Sequence, residues 1–459
     1  MIEHLSIDEQ KSVIKLLNIV SNICFGAMVL LAISPIIGLY IPTHHSLELA
    51  PLFYAKSLVV KISGFACLLL SLFILIVKTM VYGGKYLFET LIKNPWNILF
   101  LVTLVWMGIS IKEVNPLLYN VSLFGWAYTY EGYIAWIAYA GIYLGASSIR
   151  SDKQKKLILN AFLITAFVIA VFTLLYEKGI TPHAFFRNGM TFPYSGSFIN
   201  PNHYAYYLCV VCIASLAAVF LAKDKKWKIF YILSFFLNTV ILCVNDSFGS
   251  YLALLVGMVF FNAWFLKKKE NRSIILIIDA LFLVLSFIAN PKYFISDLTG
   301  FFEGIFQFVK NLFGGNDASS AIGDVTSTTA DGRAADWSTA FHSIKDHPIF
   351  GVGPDMELDT FKYKYGHNNS SHNEFLYITV CSGIPALVTF VGAITCFFVK
   401  CFRRLKNATT LEKVFMLSFG TFLVSACFGI SIPVCDFVLF MMLGLMNSYF
   451  AKEKELKCL

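Results

Sequence analysis

The sequence predicts an all-α polytopic membrane protein of about 12 transmembrane helices, with a large extracytoplasmic loop subdomain between the ninth and the tenth. Three observations predict it. Of 459 residues, 57% are hydrophobic and only 14% charged, against roughly 25% charged in an average soluble domain. Apolar runs long enough to cross about 30 Å of hydrocarbon recur along the chain. With the N-terminus inside, the cytoplasmic segments would hold 25 of the 36 Lys and Arg, so every inner loop is basic. That is the positive-inside pattern for an even number of spans with both ends in the cytoplasm. The net charge of +8 follows from this bias and requires no nucleic-acid partner.

The runs fall near 15–40, 57–77, 95–111, 131–148, 157–176, 203–222, 228–244, 249–266, 273–290, 373–399, 411–430 and 433–450. The first follows a mixed-charge start, MIEHLSIDEQK, with no small-residue cleavage site, and reads as a retained span. Two outer connections are long, 178–202 and 291–371. They divide the chain into N-terminal helices 1–5 over 1–177 and a C-terminal region over 178–459 containing both loops and helices 6–12. None of the eleven cysteines lies in an outer loop, so buried thiols are expected rather than a disulfide framework. No repeat relates the two halves.

Within 291–371, Leu298, Phe301, Phe302, Ile305, Phe308, Val309, Leu312 and Phe313 make an apolar stripe too short to cross, expected to lie flat on the outer leaflet. A polar linker follows, GGNDASSAIGDVTSTTADG. RAADWSTAFHSIKDH then predicts a helix with Asp331 as N-cap and Pro348 beyond its end, and IFGVGPD a turn.

Titratable polarity gathers on the outer side, most densely in HNNSSHNEFL at 367–376. Ser371 and Glu374 have the S-x-x-E spacing of a capping box, which predicts that the tenth span begins here with His372 in its first turn. The positive end of a helix favours a neutral imidazole that can accept a proton, and it attracts phosphate. His372 is therefore either a candidate general base or, with Asn373, no more than a helix cap at the headgroup boundary. No Cys/His spacing of a metal site is present.

Arg333 is the one arginine of the larger loop. It is either a bidentate phosphate ligand, with Trp337 one turn on to stack against it, or a solvated charge. In 178–202 the one arginine is Arg187, followed by Asn200 and Pro201, a good N-cap and first-turn pair for span six. Tyr204, Tyr206 and Tyr207 behind them read as interfacial aromatics rather than a sugar-stacking platform. Three polar groups fall within spans: Lys61, expected to snorkel outward, Asp436 near a helix end, and Asp279 with no evident partner.

Three stretches, GSFINPNHYAYYL at 196–208, GRAADWSTAFHSIKDHPIFGVGPD at 332–355 and SHNEFLYITVCSGIPAL at 371–387, give the chain a resemblance to the bacterial O-antigen ligase and O-antigen polymerase family. These are multi-span enzymes that move glycans from undecaprenyl diphosphate at the outer face of the cytoplasmic membrane. The resemblance covers the C-terminal two-thirds. It implies that His372 is the base of an H-N-x-x-L motif and Arg333 the donor-holding arginine of R-x-x-x-W. Arg187 is then a second basic ligand, and Asn202, Asn373 and Trp337 are further substrate contacts. At NDSFGSYLAL, where many members have Ser-Arg-Gly, this chain has Ser247, Phe248 and Gly249.

The implied reaction inverts the anomeric carbon and uses no metal or cofactor. The implied partners are a lipid-linked glycan, a glycan or lipid A core acceptor, and membrane lipids. Ligase and polymerase share these motifs. A lipid-linked glycan transporter and a non-catalytic assembly scaffold remain the readings from other classes, although a transporter would be expected to show repeats and midplane polar residues.

Overall fold

The computed structural model describes residues 7–39, 49–84, 94–126, 129–180, 193–198, 200–300, 333–429 and 432–455. Among them every regular element is helical. Arg187, the Asp331 cap, most of the 298–313 stripe, the polar linker and the side chain of Arg333 lie outside the described residues.

The long helices are α1 (Ile7–Ile33), α2 (Leu49–Tyr82), α3 (Pro95–Ser110), then, after the short α4 (Tyr119–Phe124), α5 (Tyr133–Ser147), α6 (Asp152–Glu177), α7 (Pro201–Ala218), α8 (Lys225–Val244), α9 (Phe248–Phe265) and α10 (Arg272–Ala289). After α11 (Arg333–Asp346) and α12 (Glu357–Tyr365) come α13 (Glu374–Arg404), α14 (Thr410–Ser425) and α15 (Pro433–Glu455). A helix therefore stands at each of the twelve expected places, but ten of them are long and apolar enough to cross a membrane. The two that fall short are α5, at 15 residues, and α7, whose first turns are polar.

Both are buried, which explains how they differ from lipid-facing helices. Every side chain of α7 from His203 to Ala218 is buried, the pattern of a helix surrounded by protein on all sides. α5 is clasped between α2 and α15. Its Gly141 and Gly145, four apart, face Gly64 and Cys67 of α2, and a Cβ on Gly141 would lie 1.9 Å from the Gly64 carbonyl oxygen. Small residues at this spacing allow helix backbones to approach closely where lipid supplies no hydrophobic drive.

Tyr204, Tyr206 and Tyr207 are not interfacial. They are at most 2% exposed, packed on Phe198 and Phe422, with ring centroids 5.0 to 5.6 Å apart. The Lys61 ammonium donates to the Phe124 carbonyl at 2.8 Å. Asp279 has a partner, accepting from Asn262 Nδ2 at 2.9 Å. The ten described cysteines are free thiols, mostly buried.

One break shapes the site. α13 is interrupted at Gly383, with φ 79° and ψ 171°, just before Pro385. Proline has no N–H, and the break leaves carbonyls and an amide of α13 without helical partners. The IFGVGPD turn takes their place: Val352 N donates to Val380 O at 2.9 Å, Gly353 N to Cys381 O at 2.8 Å, and Ile384 N to Pro348 O at 2.8 Å. A small core of Val114, Ala340, Val352, Met356, Phe361 and Val380 seats α11 and α12 on the first turns of α13 and on the segment after α3.

Candidate active site

The segment joining α12 to α13 carries the His-Asn pairs. Its end differs from the capping box expected at Ser371. Asn373 is the N-cap, its side chain accepting from Phe375 N at 3.0 Å and Leu376 N at 3.1 Å. His372 thus precedes the helix rather than occupying its first turn, and it has φ 46°, a left-handed conformation costly for a residue with a Cβ. The Ser371 hydroxyl donates instead to the Asn373 carbonyl at 3.3 Å, and Asn373 Nδ2 reaches Cys427 O at 3.0 Å, tying the cap to the end of α14.

The His372 ring is oriented by two acceptors. Its Nδ1 lies 2.9 Å from the Ser370 carbonyl oxygen and 3.2 Å from Asp336 Oδ2. A carbonyl can only accept, so Nδ1 carries the hydrogen and the neutral ring has its lone pair on Nε2. A ring so held can take a proton at Nε2. His372 is 27% exposed and Asp336 1%.

Asp336 is a residue the motifs did not single out. It stands three positions after Arg333 on α11 and receives three side chains from one segment: His367 Nε2 at 2.6 Å on Oδ1, and Asn369 Nδ2 at 3.1 Å and His372 on Oδ2. The recurrence of His-Asn at 367–368 and 372–373 was its legible trace, together with a single acid one helical turn from the arginine. Trp337 follows on α11 with its indole N–H buried and without a hydrogen-bond partner.

Two more acids sit beneath the turn. Asp355 accepts from Trp126 N at 2.7 Å, Thr129 Oγ1 at 2.5 Å and Tyr377 OH at 3.1 Å; burial nevertheless raises its carboxyl to about 6. Glu357 accepts from Ser371 N at 3.3 Å, and its other oxygen is buried without a partner. Burial raises the Glu357 carboxyl to about 7, against a smaller lowering by hydrogen bonds from Ser371 and by His372. Its raised folded-state value means that the folded chain keeps the proton where the unfolded chain has released it. The stability contribution is full below the ordinary value of 4.5 and disappears as pH rises through about 7. Glu357→Gln should therefore flatten the loss of thermal stability between pH 5 and 8, by on the order of 2 kcal/mol, read as detergent-solubilised unfolding temperatures across that range.

The structure thus brings together His372, Asn373 and the helix that carries Arg333 and Trp337. Asn202 Oδ1 lies 3.0 Å from Ser247 Oγ, which is 2.6 Å from Asn245 Oδ1, joining the starts of α7 and α9. Asn200 and Pro201 do cap and open α7 as expected. Among the described residues no three His, Cys, Asp or Glu side chains converge as a metal-ligand set.

Ten helices of membrane-crossing length and a polar constellation beside a broken helix make this a multi-pass membrane protein. Residues 233–391 match the sequence model described as O-antigen ligase, and over this stretch the chain is similar to that family. The matched stretch contains Arg333, Trp337, His372 and Asn373 and excludes Arg187 and Asn202, a narrower span than the three motifs suggest. No curated protein matches the chain.

Proposed function

We propose that the chain transfers a glycan from undecaprenyl diphosphate to an acceptor hydroxyl at the outer face of the bacterial cytoplasmic membrane, both termini lying in the cytoplasm. The observation that carries this reading is the His372 ring, held through Nδ1 so that Nε2 is the basic atom. His372 removes the acceptor proton at Nε2 as the acceptor oxygen bonds to the anomeric carbon. The bond from that carbon to the diphosphate oxygen breaks, and undecaprenyl diphosphate leaves with the electron pair. Attack opposite the leaving group inverts the anomeric configuration.

Arg333, on the helix packed against His372, and Arg187 supply the countercharge that develops on the departing diphosphate. Asn373 and Trp337 line the same approach, and Asn202 contacts the donor from the start of α7. Arginine countercharge makes a metal unnecessary in this scheme, and no cofactor is used.

The test uses the full chain in liposomes with lipid-linked glycan extracted from the cells that make it, a chelator present, and products resolved by mass. A single glycan moved to an added acceptor is the expected ligase outcome; a ladder of multiples without acceptor identifies a repeat-unit polymerase of the same family. Transbilayer movement of the lipid-linked glycan with no new glycosidic bond, whichever acceptor is added, would overturn the proposal.

A further inference from the structure

Three side chains from a six-residue segment, His367 to His372, converge on one buried carboxylate on α11, and the reaction scheme above assigns that carboxylate nothing. Asp336 is 1% exposed. A carboxylate so buried is held by hydrogen bonds from its partners, and here they are the side chains of His367, Asn369 and His372. The Ser370 carbonyl alone would suffice to set the His372 tautomer. What Asp336 adds is negative charge 3.2 Å from Nδ1, and a bridge from the α12–α13 segment to α11, on which Arg333 stands one turn earlier.

We infer that Asp336 is the positioning residue of this site: it holds the strained His372 turn against α11 and stabilises the imidazolium that forms when Nε2 takes the acceptor proton. This rests on the reading of His372 as the base. The inference follows from charge. A proton gained at Nε2 leaves the ring cationic, and an anion within hydrogen-bond reach favours that state. Ring and anion also remain in register because Asn369 and His367 anchor the segment on either side of Asp336's two oxygens. The titratable groups facing His372 are Asp336 from α11, Glu357 from α12 and, across the shared carboxylate, His367.

The experiment compares the full-length wild type, Asp336→Asn, Asp336→Glu and His372→Ala in the liposome assay. It uses the same extracted lipid-linked glycan, with kcat and donor KM measured. Asp336→Asn keeps the shape but removes the charge and offers an N–H where His372 needs an acceptor. We expect kcat to fall about 100-fold or more and donor KM to stay within about threefold. Asp336→Glu, retaining charge but displaced by a methylene, should recover part of kcat.

Asp336→Asn with kcat within about threefold of wild type would overturn the inference while leaving the base reading intact. A raised KM with unchanged kcat would overturn it equally, showing a role in donor binding alone. If Asp336→Asn does not accumulate in membranes, Asp336→Glu at full wild-type kcat overturns the positional claim. Full activity in His372→Ala would instead sink the base reading beneath it.

Discussion

Replacing His372 with Gln should lower glycan transfer by about 10²- to 10⁴-fold, the usual contribution of a positioned general base, with donor KM little changed. Gln keeps a polar side chain of similar reach but cannot accept a proton near neutral pH. The measurement is initial rate against donor concentration in liposomes. A companion substitution separates chemistry from folding. His372 has φ 46°, a conformation that costs a residue with a Cβ about 1–2 kcal/mol and that glycine adopts freely. His372→Gly should therefore abolish transfer while leaving the unfolding temperature within a few degrees of wild type, since relief of strain offsets glycine's added chain entropy. A residue retained at a position that favours glycine is what a strained functional site predicts. Equal transfer rates in wild type and both variants would remove His372 from the chemistry.

Gly383→Ala should damage folding severely. Gly383 has φ 79° and ψ 171°, a region essentially restricted to glycine, and a Cβ there would lie 2.1 Å from the Ile349 carbonyl oxygen. Backbone strain and overpacking each cost about 1–3 kcal/mol. Neither can relax without releasing the turn bonded to Val380, Cys381 and Ile384. The expected result is a loss of about 3 kcal/mol or more, read as a fall in the unfolding temperature in detergent or a failure to accumulate in membranes. A variant that unfolds at the wild-type temperature would show that the turn docks by some other contact.

Hydropathy marked twelve apolar stretches, and among the described residues each holds a helix, ten of them long and apolar enough to cross a membrane. What it could not distinguish was lipid from protein as the apolar neighbour. α5 and α7 are apolar because other helices enclose them, and Tyr204, Tyr206 and Tyr207 have the composition of an interfacial belt while lying in the core. His372 and Asn373 were legible from their order and side of the chain. The cap was placed at Ser371 because S-x-x-E spacing is common, whereas Asn373 bonds two amides at once; Thr409 and Glu412 show the genuine reciprocal box at the start of α14. Asp336 went unread because its partners lie more than 30 residues away. Gly383 and Pro385 marked a break in α13, but spacing cannot say which backbone fills it.

That break also sets a height. An unbroken helix of 31 residues would be about 46 Å long, well beyond the roughly 30 Å of hydrocarbon it has to cross. The piece after Gly383, ending on Arg403 and Arg404, is about 31 Å long and spans that thickness alone. The piece before it rises about 15 Å further along its own axis. On the orientation proposed above, the piece before Gly383 carries His372 to the outer side of the hydrocarbon, the side on which the phosphates of a polyprenyl donor lie while its tail stays in the leaflet. On that orientation the height of His372 is set by the number of helical turns before Gly383, independent of how long the lipid is.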